Sequence, residues 1–156
     1  MEDSEKITPT YNNKQKGMVY EQLFMYEAVR RDLIPHKPIL DPRCHDVVLV
    51  NKEGCPIIVQ IKSIKNRCYD NRENKGCHKY VVKASCEGDK IALNDTYVDV
   101  LAIYAVNEKS WYLIPCDKIK SKTVAIFPHI EGSKGMYEKF KEGWSFFWGD
   151  QVCPKS

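Results

Sequence analysis

The chain has 156 residues, of which 43% are hydrophobic and 29% charged, with 24 Lys and Arg against 21 Asp and Glu for a formal net charge of +3. That size supports one domain with its own core, and no stretch approaches the roughly 20 apolar residues of a membrane-spanning helix. The seven cysteines are odd in number and form no C-x-x-C pair, which argues against a structural zinc site and reads as reduced thiols in an intracellular, cytoplasmic protein.

Residues 1–15, beginning MEDSEKITPT, read as a flexible polar arm without the apolar core of a secretory signal, leaving 16–156 as a single domain. From 17 to 33, Val19, Leu23, Phe24, Met25, Ala28, Val29 and Leu33 recur at helical spacing, so a helix is predicted that ends before Pro35. Met25 and Ala28 lie four and seven residues after Glu21, placing this carboxylate on the apolar side, where it needs a cation, a proton or a metal. Two β-branched runs follow, His45–Val50 and Pro56–Ile61, joined by the turn sequence NKEG. In such an antiparallel hairpin the start of one strand lies beside the end of the other, so Asp46 meets Gln60 and Lys62, which share a face by alternation.

A basic loop comes next. Lys62, Lys65, Arg67, Arg72, Lys75, Lys79 and Lys83 fall in a segment whose only acids are Asp70 and Glu73, with Asn66, Tyr69, Asn71, Asn74 and His78 interleaved. Such a segment suits phosphate contacts, although a solvated loop has the same composition. A strand is predicted at 79–85, then a hairpin of 99–106 and 110–115 around NEK, one helical turn at 116–120, and the short strand TVAIF. A late helix is expected over 134–142, followed by an aromatic cluster of Trp144, Phe146, Phe147 and Trp148. This order of elements indicates an α+β or mixed α/β fold.

The chemistry legible here is hydrolysis assisted by a divalent cation. Such a site needs one or two carboxylates and further oxygen donors. Asp46 is the central candidate ligand, Glu21 the second carboxylate, and Gln60 with the Ile61 carbonyl the remaining oxygens. Lys62 is placed to orient or deprotonate a water and to neutralise a phosphate. Taken singly, each has a plainer role: Glu21 as the partner of a structural cation, Asp46 as a turn or cap residue with Asp41 as its rival, and Gln60 and Lys62 as polar strand residues facing water.

Together, Gly17-x-x-x-Glu21, His45-Asp46 and Gln60-x-Lys62 resemble the PD-(D/E)XK nuclease superfamily. More narrowly they resemble the bacterial PD-(D/E)XK homing endonucleases of group I introns, whose signature carries Gln in this motif. The segments 98–104 and 111–115 are similar to that group as well, so the likeness spans about 16–120. The resemblance implies a restriction-endonuclease-like core with a central mixed β-sheet flanked by helices. It also implies Mg²⁺ dependence with Mn²⁺ as a substitute, cleavage of double-stranded DNA, and assembly as a homodimer or homotetramer. Two departures bear on the transfer: His45 stands where the family's proline is common, and Gln60 replaces an acidic residue, which bears on metal affinity and stoichiometry. A junction resolvase or repair nuclease on the same core, and a DNA-binding protein without catalysis, are the competing readings.

Overall fold

Asn12 opens the first element. Its Oδ1 accepts from the Gln15 N–H at 2.9 Å, while the Gln15 Oε1 accepts from the Asn12 N–H at 2.9 Å, a reciprocal cap for amides otherwise orphaned at a helix start. Helix α1 accordingly spans Asn13–Val29, beginning and ending earlier than the apolar spacing predicts. The early end follows from Asp32, whose φ of +59° is left-handed. The chain folds back there, and the Leu33 N–H reaches the Ala28 carbonyl. Leu33 is buried outside the helix rather than in its last turn.

The computed structural model describes residues 12–39, 44–70, 76–86, 90–93 and 96–149. Residues 12–15, read from sequence as part of the arm, form the cap and first turn of α1; the rest of that arm lies outside the described residues. Among the described residues ten strands follow: β1 Ile34–His36, β2 Val47–Val50, β3 Pro56–Ile64, β4 Cys68–Asp70, β5 Cys77–Lys83, β6 Ser85–Cys86, β7 Ile91–Ala92, β8 Val100–Ala105, β9 Ser110–Pro115 and β10 Thr123–Ile126. The central sheet has the order β1-β2-β3-β8-β9. Its pairs are antiparallel except β3 with β8, which run parallel. A smaller sheet, β10-β5-β4, and the ribbon β6-β7 complete the architecture.

Alternation along β3 divides the core in two. Ile57, Val59 and Ile61 join Phe24 and Ala28 of α1, with Trp111, Trp144 and Phe147, on one face of the central sheet. On the other face Leu101, Ile103, Tyr112 and Ile114 pack against Tyr80, Val82, Val124 and Ile126 of the small sheet. The central sheet is therefore covered on both sides, by α1 with the aromatic segment and by the small sheet. That is the α+β class with a mixed sheet.

Three expectations are corrected. The basic segment is a hairpin over much of its length, because β4 and β5 pair with Cys68 opposite Lys79; Arg72 and Lys75 lie outside the described residues. The late helix is reduced to a 3-10 turn at Glu138–Phe140. There the Glu138 side chain turns inward to accept from the Phe127 N–H and the Tyr112 hydroxyl, both at 2.8 Å. Lys141 forms an isolated bridge with Tyr112, and Glu142 sits at a left-handed φ of +51°. Finally, the cysteines are not all reduced, since Cys44 and Cys86 form a disulfide that ties the segment before β2 to β6. Cys68 and Cys77 are exposed thiols and Cys116 is a buried one. Burial, with Asp99 and Asp117 nearby, pushes the Cys116 thiol up to about 12.

Candidate active site

The β2–β3 hairpin brings the sequence-predicted residues together by register. Val47 pairs with Val59, so Asp46, one step earlier, lies opposite Gln60. The Asp46 N–H donates to the Val59 carbonyl at 2.9 Å, and Asp46 Oδ2 accepts from the Ile61 N–H at 2.6 Å. The aspartate thus clamps the backbone on either side of Gln60. Ile61, expected to offer its carbonyl, is seen to contribute its amide to this clamp.

Gln60 and Lys62 share the face of β3 opposite Ile57, Val59 and Ile61, with Ile58 and Ile64 beside them packed toward the small sheet. Gln60 is 6% exposed, and its Oε1 is buried with no hydrogen-bond partner. A buried amide oxygen left in this state is costly unless a ligand completes it. Lys62 is half-buried.

Glu21 arrives from α1. Its Oε2 is 2.5 Å from the Nζ of Lys37, which stands just after β1. The sequence reading anticipated that this carboxylate needs a partner, and a lysine fills that place. Asp46 integrates the surrounding charges. Burial is the main cause that pushes its carboxyl above the usual range; the Ile61 hydrogen bond opposes this, Glu21 adds to it, and Lys62 and Lys37 oppose it. Two carboxylates and two ammonium groups therefore act on one half-buried spot.

Sequence reasoning missed two neighbours of the site. Lys37 sits in a connector between Pro35 and Pro38 where no periodicity points to it; the only available signal was the need of Glu21 for a cation. Tyr97 was also missed. Its hydroxyl lies 3.2 Å from His45 Nδ1, with the two rings edge to face at 5.6 Å, so His45 packs against Tyr97 immediately beside Asp46. The rival Asp41 lies outside the described residues.

The donors fit a hard cation. Glu21, Asp46 and the orphaned Gln60 Oε1 are all oxygens, the kind that Mg²⁺ takes alongside waters and substrate. Among the described residues no group of three or more His, Cys, Asp or Glu could hold a metal, and Gln60 lies on the face of β3 turned away from α1, which carries Glu21. A zinc cluster at Cys68, Cys77, His78 and Cys86 is not available, because Cys86 is spent on the disulfide. Among the described residues no helix is long and apolar enough to cross a membrane.

Comparison with known proteins bears on the family and the fold. Residues 11–136 match the family model described as PD-(D/E)XK endonuclease. Among solved structures, a bacterial homing endonuclease, I-Ssp6803I, is similar with a TM-score of 0.67 at 18% sequence identity, covering 88% of this chain and 91% of that one. A likeness at that identity speaks to the fold, which is the restriction-endonuclease-like arrangement expected from the motif. Among curated proteins, none matches the chain by sequence.

Proposed function

The chain belongs to the PD-(D/E)XK endonuclease family, and on that premise we propose that it is a Mg²⁺-dependent endonuclease that hydrolyses phosphodiester bonds in double-stranded DNA as a site-specific homing enzyme. The observation that carries this reading is the half-buried Asp46 carboxylate, on which the charges of Glu21, Lys62 and Lys37 converge beside an unsatisfied Gln60 oxygen. The homing role is supported by the shared fold with I-Ssp6803I.

In this reading Asp46 and Glu21 would hold the cation, with Gln60 Oε1 and the Ile61 carbonyl as further oxygens. When bound, the cation would polarise the scissile phosphate and make a water more acidic, and Mn²⁺ would serve in its place. Lys62 Nζ orients the attacking water and offsets the charge that grows on the phosphate oxygens. The Ile61 N–H fixes one Asp46 oxygen, so the aspartate is held in place before substrate arrives. Lys65 and Arg67 at the β3–β4 junction, with Lys79 and Lys83 on β5, supply sequence-independent contacts to DNA phosphates. Arg72 and Lys75 belong to the same basic segment of the chain.

Asp46→Ala and Lys62→Ala are each expected to lower Mg²⁺-dependent cleavage of duplex DNA by roughly 10²–10⁴-fold while circular dichroism stays unchanged. Wild-type cleavage by either variant would defeat the assignment.

Assembly as a homodimer or homotetramer is part of the same proposal. Helix α1 leaves Met18, Val19, Tyr26 and Val29 exposed, an apolar flank suited to a second copy of the chain. Tyr26→Glu is expected to lower the mass observed by sedimentation equilibrium. An unchanged mass would remove this flank from the interface.

A further inference from the structure

Lys37 is in direct contact with a candidate metal ligand. Its Nζ lies 2.5 Å from Glu21 Oε2. The Lys37 side chain is 40% exposed and that of Glu21 20%, so the pair stands at the boundary between solvent and the site. Two features hold the lysine there. Pro35 and Pro38 bracket it and restrict the backbone, and β1 is hydrogen-bonded to β2 with His36 opposite Val48. The lysine is thereby anchored to the strand that follows Asp46. Its charge also reaches Asp46 itself.

We infer that Lys37 is a resident counter-cation of the candidate metal site, whose ammonium holds the Glu21 carboxylate in the metal-free protein and gives it up when a divalent cation binds. The inference rests on the nuclease reading and adds to it a control on metal affinity. An ammonium at hydrogen-bond distance from Oε2 and a divalent ion on the same carboxylate would lie only a few ångströms apart, in surroundings that screen charge poorly. Occupation by one therefore opposes the other. Without metal, Lys37 relieves the repulsion between Glu21 and Asp46; with metal, it must rotate toward solvent. The lysine stabilises the empty site and weakens the loaded one, and both effects lower the affinity for metal.

The test is isothermal titration of the full chain with Mn²⁺ in the absence of DNA. Lys37→Met and Lys37→Gln are expected to bind Mn²⁺ roughly three- to tenfold more tightly than wild type, while Lys37→Arg stays near wild type. Lys52→Met is the control for net charge, since Lys52 pairs with the remote and exposed Asp32 at 3.1 Å; its Mn²⁺ affinity is expected to be unchanged. The rise in unfolding midpoint produced by Mn²⁺ is expected to be larger in Lys37→Met than in wild type. If Glu21→Gln weakens Mn²⁺ binding but Lys37→Met and Lys37→Gln leave it unaltered, the inference falls and the nuclease reading stands. Equal tightening by Lys52→Met also overturns it. Absence of Mn²⁺ binding in both wild type and Lys37→Met overturns the inference together with the metal-dependent reading.

Discussion

An ionised Asp46 is held half-buried with a second carboxylate, Glu21, acting on it, and only the Ile61 amide and two lysines compensate. Its carboxyl binds a proton more tightly in the folded chain than in the unfolded one. The stability gained by protonating Asp46 is therefore fully present below the ordinary value of 3.8 and is lost as pH rises through the raised folded value. That loss is the cost of holding an ionised carboxylate half-buried beside Glu21. Asp46→Asn keeps an oxygen for the Ile61 N–H and removes the charge. It is expected to raise the thermal midpoint by about 2–4 °C at pH 7 while abolishing cleavage, and the gain should vanish at acidic pH. A midpoint at pH 7 that falls instead would show that the ionised carboxylate stabilises the fold. Lys37 illustrates the limit of reading residues from sequence: it meets Glu21 across an irregular connector, a contact that no periodic pattern encodes.

At the level of elements, the hairpin carrying Asp46 and Gln60 was legible because alternation and a short turn fix antiparallel pairing without reference to the rest of the chain. The β8–β9 hairpin was legible for the same reason. The ends of α1 were not, since they depend on the reciprocal cap of Asn12 with Gln15 and on the left-handed Asp32 rather than on the apolar stripe. The segment 134–142 was misread because Tyr137, Glu138, Lys139 and Phe140 suit a helix locally, yet the Glu138 carboxylate is taken by the Phe127 amide and the Tyr112 hydroxyl. Tertiary hydrogen bonds override propensity there. Glu138→Ala leaves both donors without their acceptor, one of them on the fully buried Tyr112. It is expected to cost about 2–4 kcal/mol, measured by urea denaturation, with Glu138→Gln losing less. A cost below that of an ordinary surface substitution would show that the carboxylate does not organise this turn.

Across the whole molecule, the Cys44–Cys86 bond joins positions 42 residues apart and closes a loop that contains the entire candidate catalytic hairpin. A cross-link of that span constrains the unfolded chain and stabilises by about 2–4 kcal/mol. Cys86→Ser is expected to lose that amount in urea unfolding, and reducing agent should lower the stability of wild type by at least as much, because Cys55 is disulfide-bonded as well. Stability that is indifferent to both changes would mean the bond contributes nothing to the fold. Bond and hairpin are adjacent, because Cys44 precedes His45 and Asp46 directly.

The parallel pairing of β3 with β8 has a consequence for the protein as it is made. Val59 pairs with Val100 and Ile64 with Ala105, so the strand bearing Gln60 and Lys62 leaves the ribosome well before its inner neighbour exists. Until then one side of that strand is an uncovered row of amides and carbonyls, the kind of edge that recruits foreign chains. Late closure of such a distant contact slows folding. It also means that a truncated nascent chain holds the acidic and basic groups of the hairpin without the sheet that keeps them rigid, so the proposed site takes its final form only in the second half of synthesis.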